Sequence, residues 1–348
     1  MRVAIDTTPL LTGHSKRGVG YYTKRLVESL EKYDKKNEYI TFSNGQKLPD
    51  VDLVHYPYFD LFFLNLPLVK KVPTVVTLFD VVPIIFEDNY KSGLRGKLKF
   101  RVNKYLLKKN VDRIITISNC SKVDIEKYLK IKNGHVDVTY LAADPVFKKV
   151  DDRFQKETIK EKYKLPDNFI LYVGDVNYNK NLPMLYRSLG KVSCNLVLVG
   201  ESALNKNLTE VINLEKLASK LGIENKIIRP GYVSDEELVY FYNLAICYVQ
   251  PSLYEGFGLP VLEAMACGCP VVSSNTSSLV EIGGAAATYF NPENQDQITG
   301  EVNKIINLFK KDQLAYQQLV KNCLIQAEKF SWQKTAQKTI ETYDKVAA

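Results

Sequence analysis

Histidine and tryptophan are scarce in this chain of 348 residues, which holds three His, one Trp and six Cys. The cysteines (Cys120, Cys194, Cys247, Cys267, Cys269 and Cys323) are scattered, and only Cys267 and Cys269 stand close, separated by Gly268. A zinc ribbon needs two CxxC-like pairs or partnering histidines. His14, His55 and His135 are not spaced to share a site with that pair. The expectation is no metal, with reduced thiols acting as small apolar core residues. Long apolar runs are lacking too: the two greasiest segments, 58–69 and 72–86, are broken by Asp60, Asn65, Pro67, Pro73 and Asp80. Neither reaches the ~18 residues of a membrane-spanning helix. Residues 1–6 enter a strand pattern without the basic, apolar and small-residue regions of a secretory leader, which points to the cytoplasm.

Acidic residues are lacking where positive charge is densest. Residues 1–150 carry 26 Lys+Arg against 16 Asp+Glu, a net +10, and the remainder 21 against 23, a net −2. Residues 91–109 hold eight basic side chains and no acidic one, with Leu94, Leu98, Val102, Tyr105 and Leu106 at helical spacing. This pattern predicts a basic amphipathic helix. It fits a solvated face over an ordinary core, or a surface for anionic lipid headgroups at the inner face of a membrane. The run Leu61-Phe62-Phe63-Leu64 with Lys70-Lys71 fits either an added interfacial contact or a loop buried under the sheet. Nucleic acid is not expected, since neither an RNA-binding sheet motif nor zinc-finger spacing accompanies the charge.

What is present is rhythm. Short β-branched runs at 3–6, 39–42, 53–55, 74–79, 113–117 and 136–140 recur in the second half at 169–173, 196–199, 226–228, 245–249, 270–273 and 287–290. Helical patterns separate them, among them 208–221, 235–243 and 296–310. Apolar strands alternating with helices imply parallel sheets covered on both faces. At about 100–200 residues per domain the length suits two such domains. The polar stretch 148–164, ending in Leu165-Pro166-Asp167, reads as the linker. A last helix over about 331–346 opens on Ser331 as N-cap and carries Trp332.

In doubly wound sheets ligands bind beyond the carboxyl ends of the strands. The loop after the first strand holds Gly13-His14-Ser15-Lys16-Arg17-Gly18-Val19-Gly20. It opens like a P-loop but lacks the Lys-Ser/Thr that reaches phosphate and Mg²⁺. Thr23 occupies the third glycine position of a dinucleotide motif, so that motif is absent as well. There remains either a plain turn or a basic, Gly-rich helix start whose N–H groups meet an anion. The second segment runs Glu255-Gly256-Phe257-Gly258-Leu259-Pro260-Val261-Leu262-Glu263-Ala264-Met265-Ala266. It reads as a strand end, a glycine turn and a helix with Pro260 near its first position, closed by Gly268. Glu255 and Glu263 lie eight residues apart. Carboxylates beside an anion site suit a ligand that also offers hydroxyl donors, such as a phosphate carrying a ribose or a sugar.

That segment resembles the Glu-x7-Glu motif of glycosyltransferase family 4, retaining enzymes of the two-domain GT-B fold. The resemblance extends through Gly18-Val19-Gly20, Tyr172-Val173-Gly174 to Asn179-Lys180-Asn181-Leu182, Gly231-Tyr232-Val233-Ser234 and Phe330-Ser331-Trp332. It implies two Rossmann-like doubly wound domains facing a cleft. Residues 1–165 would bind the acceptor, with a crossover helix over 331–348 packing back on them, and 166–330 would bind the donor. By the same resemblance Glu263 accepts from ribose hydroxyls and Glu255 from hydroxyls of the donor sugar. Gly256, Phe257, Gly258 and Leu259 hold sugar and phosphate through backbone N–H groups. Gly174 and Asn179 belong to the diphosphate segment, and Gly231 and Tyr232 to the loop beside the base. Lys180 neutralises the leaving diphosphate, so that no metal or cofactor is required, and the attack is front-face, assisted by the leaving phosphate.

Two departures stand out. Asn179 precedes Lys180 where the family often shows Arg, and Asp175 follows Gly174, so diphosphate neutralisation would lean on Lys16 or Arg17. In Thr77-Leu78-Phe79-Asp80, Phe79 stands where many members have His, with Asp80 kept at the reacting edge of the first domain. An apolar ring there would strand a buried donor 6-hydroxyl, at roughly 1–3 kcal/mol. A 6-deoxy donor, a tolerated substitution and lost activity are the three explanations. The expected function is transfer of a hexosyl or 6-deoxyhexosyl group from a nucleotide-diphosphate sugar to a glycan or lipid-linked glycan. A GT-B nucleotide-sugar epimerase and a non-catalytic nucleotide-sugar or glycan binder are the alternatives.

Overall fold

The computed structural model describes residues 1–13 and 18–347. All twelve strand runs form strands. β1 (Arg2–Asp6), β2 (Glu38–Phe42), β3 (Leu53–Tyr56), β4 (Thr74–Thr77), β5 (Arg113–Thr116) and β6 (Val136–Val138) make one sheet in the order β2-β1-β3-β4-β5-β6. β7 (Phe169–Val173), β8 (Asn195–Val199), β9 (Ile227–Gly231), β10 (Cys247–Gln250), β11 (Val271–Ser274) and β12 (Thr288–Phe290) make the other, in the order β12-β11-β10-β7-β8-β9. Every pairing is parallel. Parallel strands need crossovers, and the intervening segments supply helices. These are α1 (Gly18–Tyr33), α2 (Val82–Ile85), α3 (Gly93–Asn110), α4 (Asn119–Leu129), α5 (Arg153–Tyr163), α6 (Leu182–Leu189) and α7 (Thr209–Leu221). They continue with α8 (Asp235–Leu244), α9 (Leu259–Ala266), α10 (Leu279–Gly283), α11 (Gln295–Lys311), α12 (Gln313–Ala327) and α13 (Trp332–Ala347).

The chain divides into two compact units, Met1–Ala142 with Phe330–Ala348, and Ala143–Lys329. In the first, Val54, Val76 and Ile114 from the sheet pack with Leu106, Leu107 and Ile125 from the helices. A buried polar chain threads this unit: His55 Nδ1 lies 2.7 Å from Tyr343 Oη, His55 Nε2 2.9 Å from Thr77 Oγ1, and Thr77 Oγ1 3.0 Å from Tyr22 Oη. It ties α13 through β3 and β4 to α1. Burial pushes the His55 pKa down to about 3, so the ring is neutral and structural. Thr335 of α13 also donates to the Tyr140 carbonyl at 2.8 Å.

The division falls at 142–143, upstream of the boundary at 165 that the sequence suggested. The stretch 148–164 contains a helix rather than a linker. α5 is held to the second unit by Lys162 and Tyr163, which reach the two oxygens of Glu237 at 2.5 and 2.6 Å, and by the Tyr163 ring against Phe241. Val150 N donates to Asn243 Oδ1 at 2.9 Å. α5 buries only Ile159, which is why its sequence carries so little apolar signal. The second core gathers Tyr172, Leu198 and Val249 from the sheet against Leu185, Tyr186 and Ile305. Five cysteines are buried and Cys120 is half-buried.

Candidate active site

Numbered within the second sheet, the strand order is 3-2-1-4-5-6, so β7 and β10 flank the point where the winding reverses direction. Open α/β sheets bind ligands beyond the carboxyl ends of the strands at such a point, and here the loops leaving β7 and β10 meet. One of these loops carries Lys180 and the other Glu255, and the fold joins residues 75 apart in sequence: Lys180 Nζ lies 2.8 and 2.9 Å from the two Glu255 oxygens. The glycine turn requires its glycine. Gly258 caps α9 at φ +104°, and a Cβ there would meet Leu279 Cδ2 at 2.8 Å. At the ends of the paired strands β7 and β8, Gly200 packs onto Gly174, where a Cβ would lie 2.2 Å from the Gly174 carbonyl oxygen.

Glu255 is buried and pinned. Its Oε1 accepts from Gln250 Nε2 at 2.9 Å and Ser252 Oγ at 2.6 Å in addition to Lys180. Gln250 is itself oriented, because Tyr248 Oη donates to its Oε1 while Nε2 also reaches Ser252 Oγ at 2.6 Å. The main chain is held from the far side: Glu255 N donates to Ser277 Oγ at 2.9 Å, and Ser278 Oγ lies 2.8 Å from the Glu255 and Phe257 carbonyls. With Oε1 receiving three donors, Oε2 is the oxygen with capacity for a further hydroxyl. Lys180 has three N–H bonds, two of them directed at Glu255.

Glu263 sits in the second turn of α9, half-buried, with Oε2 accepting from Tyr242 Oη at 2.9 Å. Burial raises its pKa to about 8; the Tyr242 hydrogen bond opposes this, and the charges of Asp235 and Asp144 add to it. Among the other expected residues, Asn179 gives its amide to the Tyr254 carbonyl at 3.0 Å, and its own carbonyl accepts from Leu253 N at 2.8 Å. Its side chain therefore braces the two loops together rather than facing out as a diphosphate ligand. Asn181, at φ +55°, does the same for the Pro251 and Pro292 carbonyls. Gly231 ends β9 and Tyr232 beyond it is exposed.

In the first unit, Gly18, Val19 and Gly20 form the start of α1. Lys16 and Arg17 lie outside the described residues. Asp80 accepts from the N–H of Val82, the first residue of α2, at 3.0 Å. Phe79 packs edge-on against Tyr22 at 5.2 Å and tilted against Tyr58 at 6.3 Å. Sequence reasoning missed Asp6, which ends β1 and borders a cavity of about 430 Å³ with Thr8, Phe42, Asn44 and Tyr56. Burial raises the Asp6 pKa, against hydrogen bonds from Thr8. Gln250 and Ser252 were missed too; their position five and three residues before Glu255, at the end of the same strand, was the available signal. Among the described residues no group of three or more His, Cys, Asp or Glu is placed to hold a metal ion.

Residues 155–322 match the family described as glycosyl transferases group 1. The serotype-specific mannosyltransferase WbdA of Escherichia coli is 29% identical over 296 residues, covering 82% of this chain and 35% of that protein. The chain thus spans about a third of the length of WbdA. The O-antigen chain mannosyltransferase B of Escherichia coli is 29% identical over 291 residues, 80% of this chain and 72% of that one. Among solved structures, sucrose-phosphate synthase from Thermosynechococcus elongatus superposes with a TM-score of 0.76 at 18% identity, covering 99% and 98% of the two chains. Anabaena Alr3699/HepE, solved in complex with UDP and glucose, gives 0.74 at 16% identity over 99% and 100%. The chain has the two-domain α/β fold called GT-B, and within it residues 155–322 are similar to the glycosyl transferases group 1 family.

Proposed function

We propose that the chain is a retaining glycosyltransferase that moves a hexosyl or 6-deoxyhexosyl group from a nucleotide-diphosphate sugar to a glycan or lipid-linked glycan, the latter at an anionic membrane surface. The observation that carries this is the Lys180–Glu255 pair at the point where the second sheet reverses its winding. Glycosyl transfer builds positive charge at the anomeric carbon and negative charge on the departing diphosphate. A lysine and the N-terminus of α9 oppose the second charge electrostatically. Glu255, fixed by Gln250 and Ser252, takes a sugar hydroxyl on Oε2 and holds the ring in register. Glu263 takes the ribose hydroxyls. No side chain of this unit is offered as covalent nucleophile; the acceptor oxygen attacks on the face the diphosphate leaves, and the departing phosphate oxygen takes the proton. The mannosyltransferase relatives favour a mannosyl donor, which has a 6-hydroxyl, and so favour Phe79 as a tolerated substitution in an aromatic cluster.

The test is to incubate the protein with UDP-, GDP- and dTDP-sugars, 6-deoxy donors included, and assay free nucleoside diphosphate. Slow release from one donor family supports transfer and names the base. Conversion of a UDP-sugar to its epimer without an acceptor, or tight binding with no release even when lipid-linked acceptors are added, would overturn the proposal.

A further inference from the structure

The large exposed apolar side chains of the first unit are concentrated in two segments that the fold brings together. On α3, Leu94, Leu98 and Tyr105 are 87%, 64% and 59% exposed. At 3.6 residues per turn they fall within about 40° of one another, opposite the buried face that carries Asn103, Leu107 and Asn110. Arg101 and Lys108 run along one side of this apolar midline, and Arg95 and Lys109 along the other. A helix that merely covers a core shows polar residues along the middle of its solvent face. Here the middle is greasy and the flanks are cationic.

The second segment is the loop 61–71, and two asparagines seven residues apart fasten it to α3. Asn103 Nδ2 lies 3.1, 3.1 and 2.7 Å from the carbonyls of Asp60, Leu61 and Phe63. Asn110 Nδ2 reaches those of Pro67 and Leu68 at 3.0 and 3.2 Å. Phe62 stacks on Phe100, and Lys99 Nζ stands 5.3 Å from the Phe63 ring. With the loop so held, Phe63, Leu68 and Val69 stay in water at 66%, 73% and 70% exposure. Exposed apolar side chains rimmed by cations mark an interaction surface. We infer that α3 and the loop 61–71 form one face that docks on an anionic lipid bilayer, with Leu94, Leu98, Phe63 and Leu68 entering the headgroup boundary and the lysines and arginines pairing with lipid phosphates.

The apolar midline selects lipid over nucleic acid, whose backbone contacts need charge but no greasy insertion. No helix among the described residues is long and apolar enough to cross a membrane, so this contact is peripheral. Leu64 and Val69 of the same loop also border the 430 Å³ cavity beside Asp6, so the face and the cavity share a rim. This deepens the reading of a lipid-linked acceptor and rests on it only for purpose, since binding is measured without turnover.

The experiment is vesicle co-sedimentation of the full chain at low and high salt, on phosphatidylcholine alone and mixed with phosphatidylglycerol. Binding is expected on mixed vesicles only, weakened by salt. Arg101→Gln with Lys108→Gln should lower the partition coefficient roughly thirty-fold. Leu94→Ser with Leu98→Ser should lower it on the order of ten-fold or more, with an unchanged circular dichroism spectrum. Equal binding to neutral vesicles, indifference to both double variants, or an RNA oligonucleotide that binds the Leu double variant as tightly as wild type would overturn the inference. Nucleoside diphosphate release from free donor should be unchanged in these variants. Vesicle binding without any release in the wild type would sink the transfer reading alone.

Discussion

Glu263, proposed to take the ribose hydroxyls, is a carboxyl group whose charge should change when it does so. In the unliganded protein its pKa is about 8 rather than the ordinary 4.5, because burial disfavours the anion. Between these values the folded chain holds a proton that the unfolded chain releases, so Glu263 costs stability progressively as pH rises from 4.5 to 8. The full window corresponds to at most about 4–5 kcal/mol, reduced by the water that a half-buried side chain retains. Ribose hydroxyls donating to Glu263 would favour the anion and pull the pKa down. Nucleotide binding near pH 7 should therefore release up to about one proton, and at pH 9, where the group is already ionised, none. Calorimetric titration with nucleoside diphosphate in buffers of different ionisation enthalpy reads this directly. Glu263→Gln should abolish the proton release and flatten the fall in stability between pH 5 and 8. Proton uptake on binding, or a release that survives Glu263→Gln, would refute the assignment of the ribose contact to this residue.

Other consequences follow from single contacts. Gly258→Ala forces a side chain into φ +104° against Leu279, and should cost about 1–3 kcal/mol in thermal or denaturant unfolding together with a loss of donor affinity. Gln250→Leu removes one of three donors to Glu255 Oε1 and should weaken donor turnover more than protein stability, an effect Gln250→Glu would not rescue because it adds a repelling charge. His55→Leu strands the Tyr343 hydroxyl while Thr77 keeps Tyr22. About 1–3 kcal/mol of stability should be lost, with donor binding to the second unit unaffected in a titration.

The strands were readable because the central ones are apolar, β-branched runs buried on both faces, as parallel sheets require. α5 was not, since its single buried Ile159 leaves a charged stretch that looks like a linker. At the site, the glycine turn and its two glutamates were visible as a local pattern. The pairing of Lys180 with Glu255 was not, because it depends on which two strand ends the sheet order makes neighbours. The same holds for Tyr242 beneath Glu263, 21 residues away, and for His55 against Tyr343, 288 residues away. Asn179 shows the converse: its place in a motif suggested a ligand contact, while its amide braces the Tyr254 carbonyl.

The central claim is that Lys180, held by Glu255, stabilises the diphosphate as it departs. Its most direct test compares Lys180→Met with wild type on the preferred donor, measuring nucleoside diphosphate release under saturation alongside donor affinity. The rate should fall about 10²–10³-fold, the size expected for loss of one preorganised electrostatic partner, with a much smaller change in affinity. A variant that releases nucleotide at the wild-type rate would contradict the account.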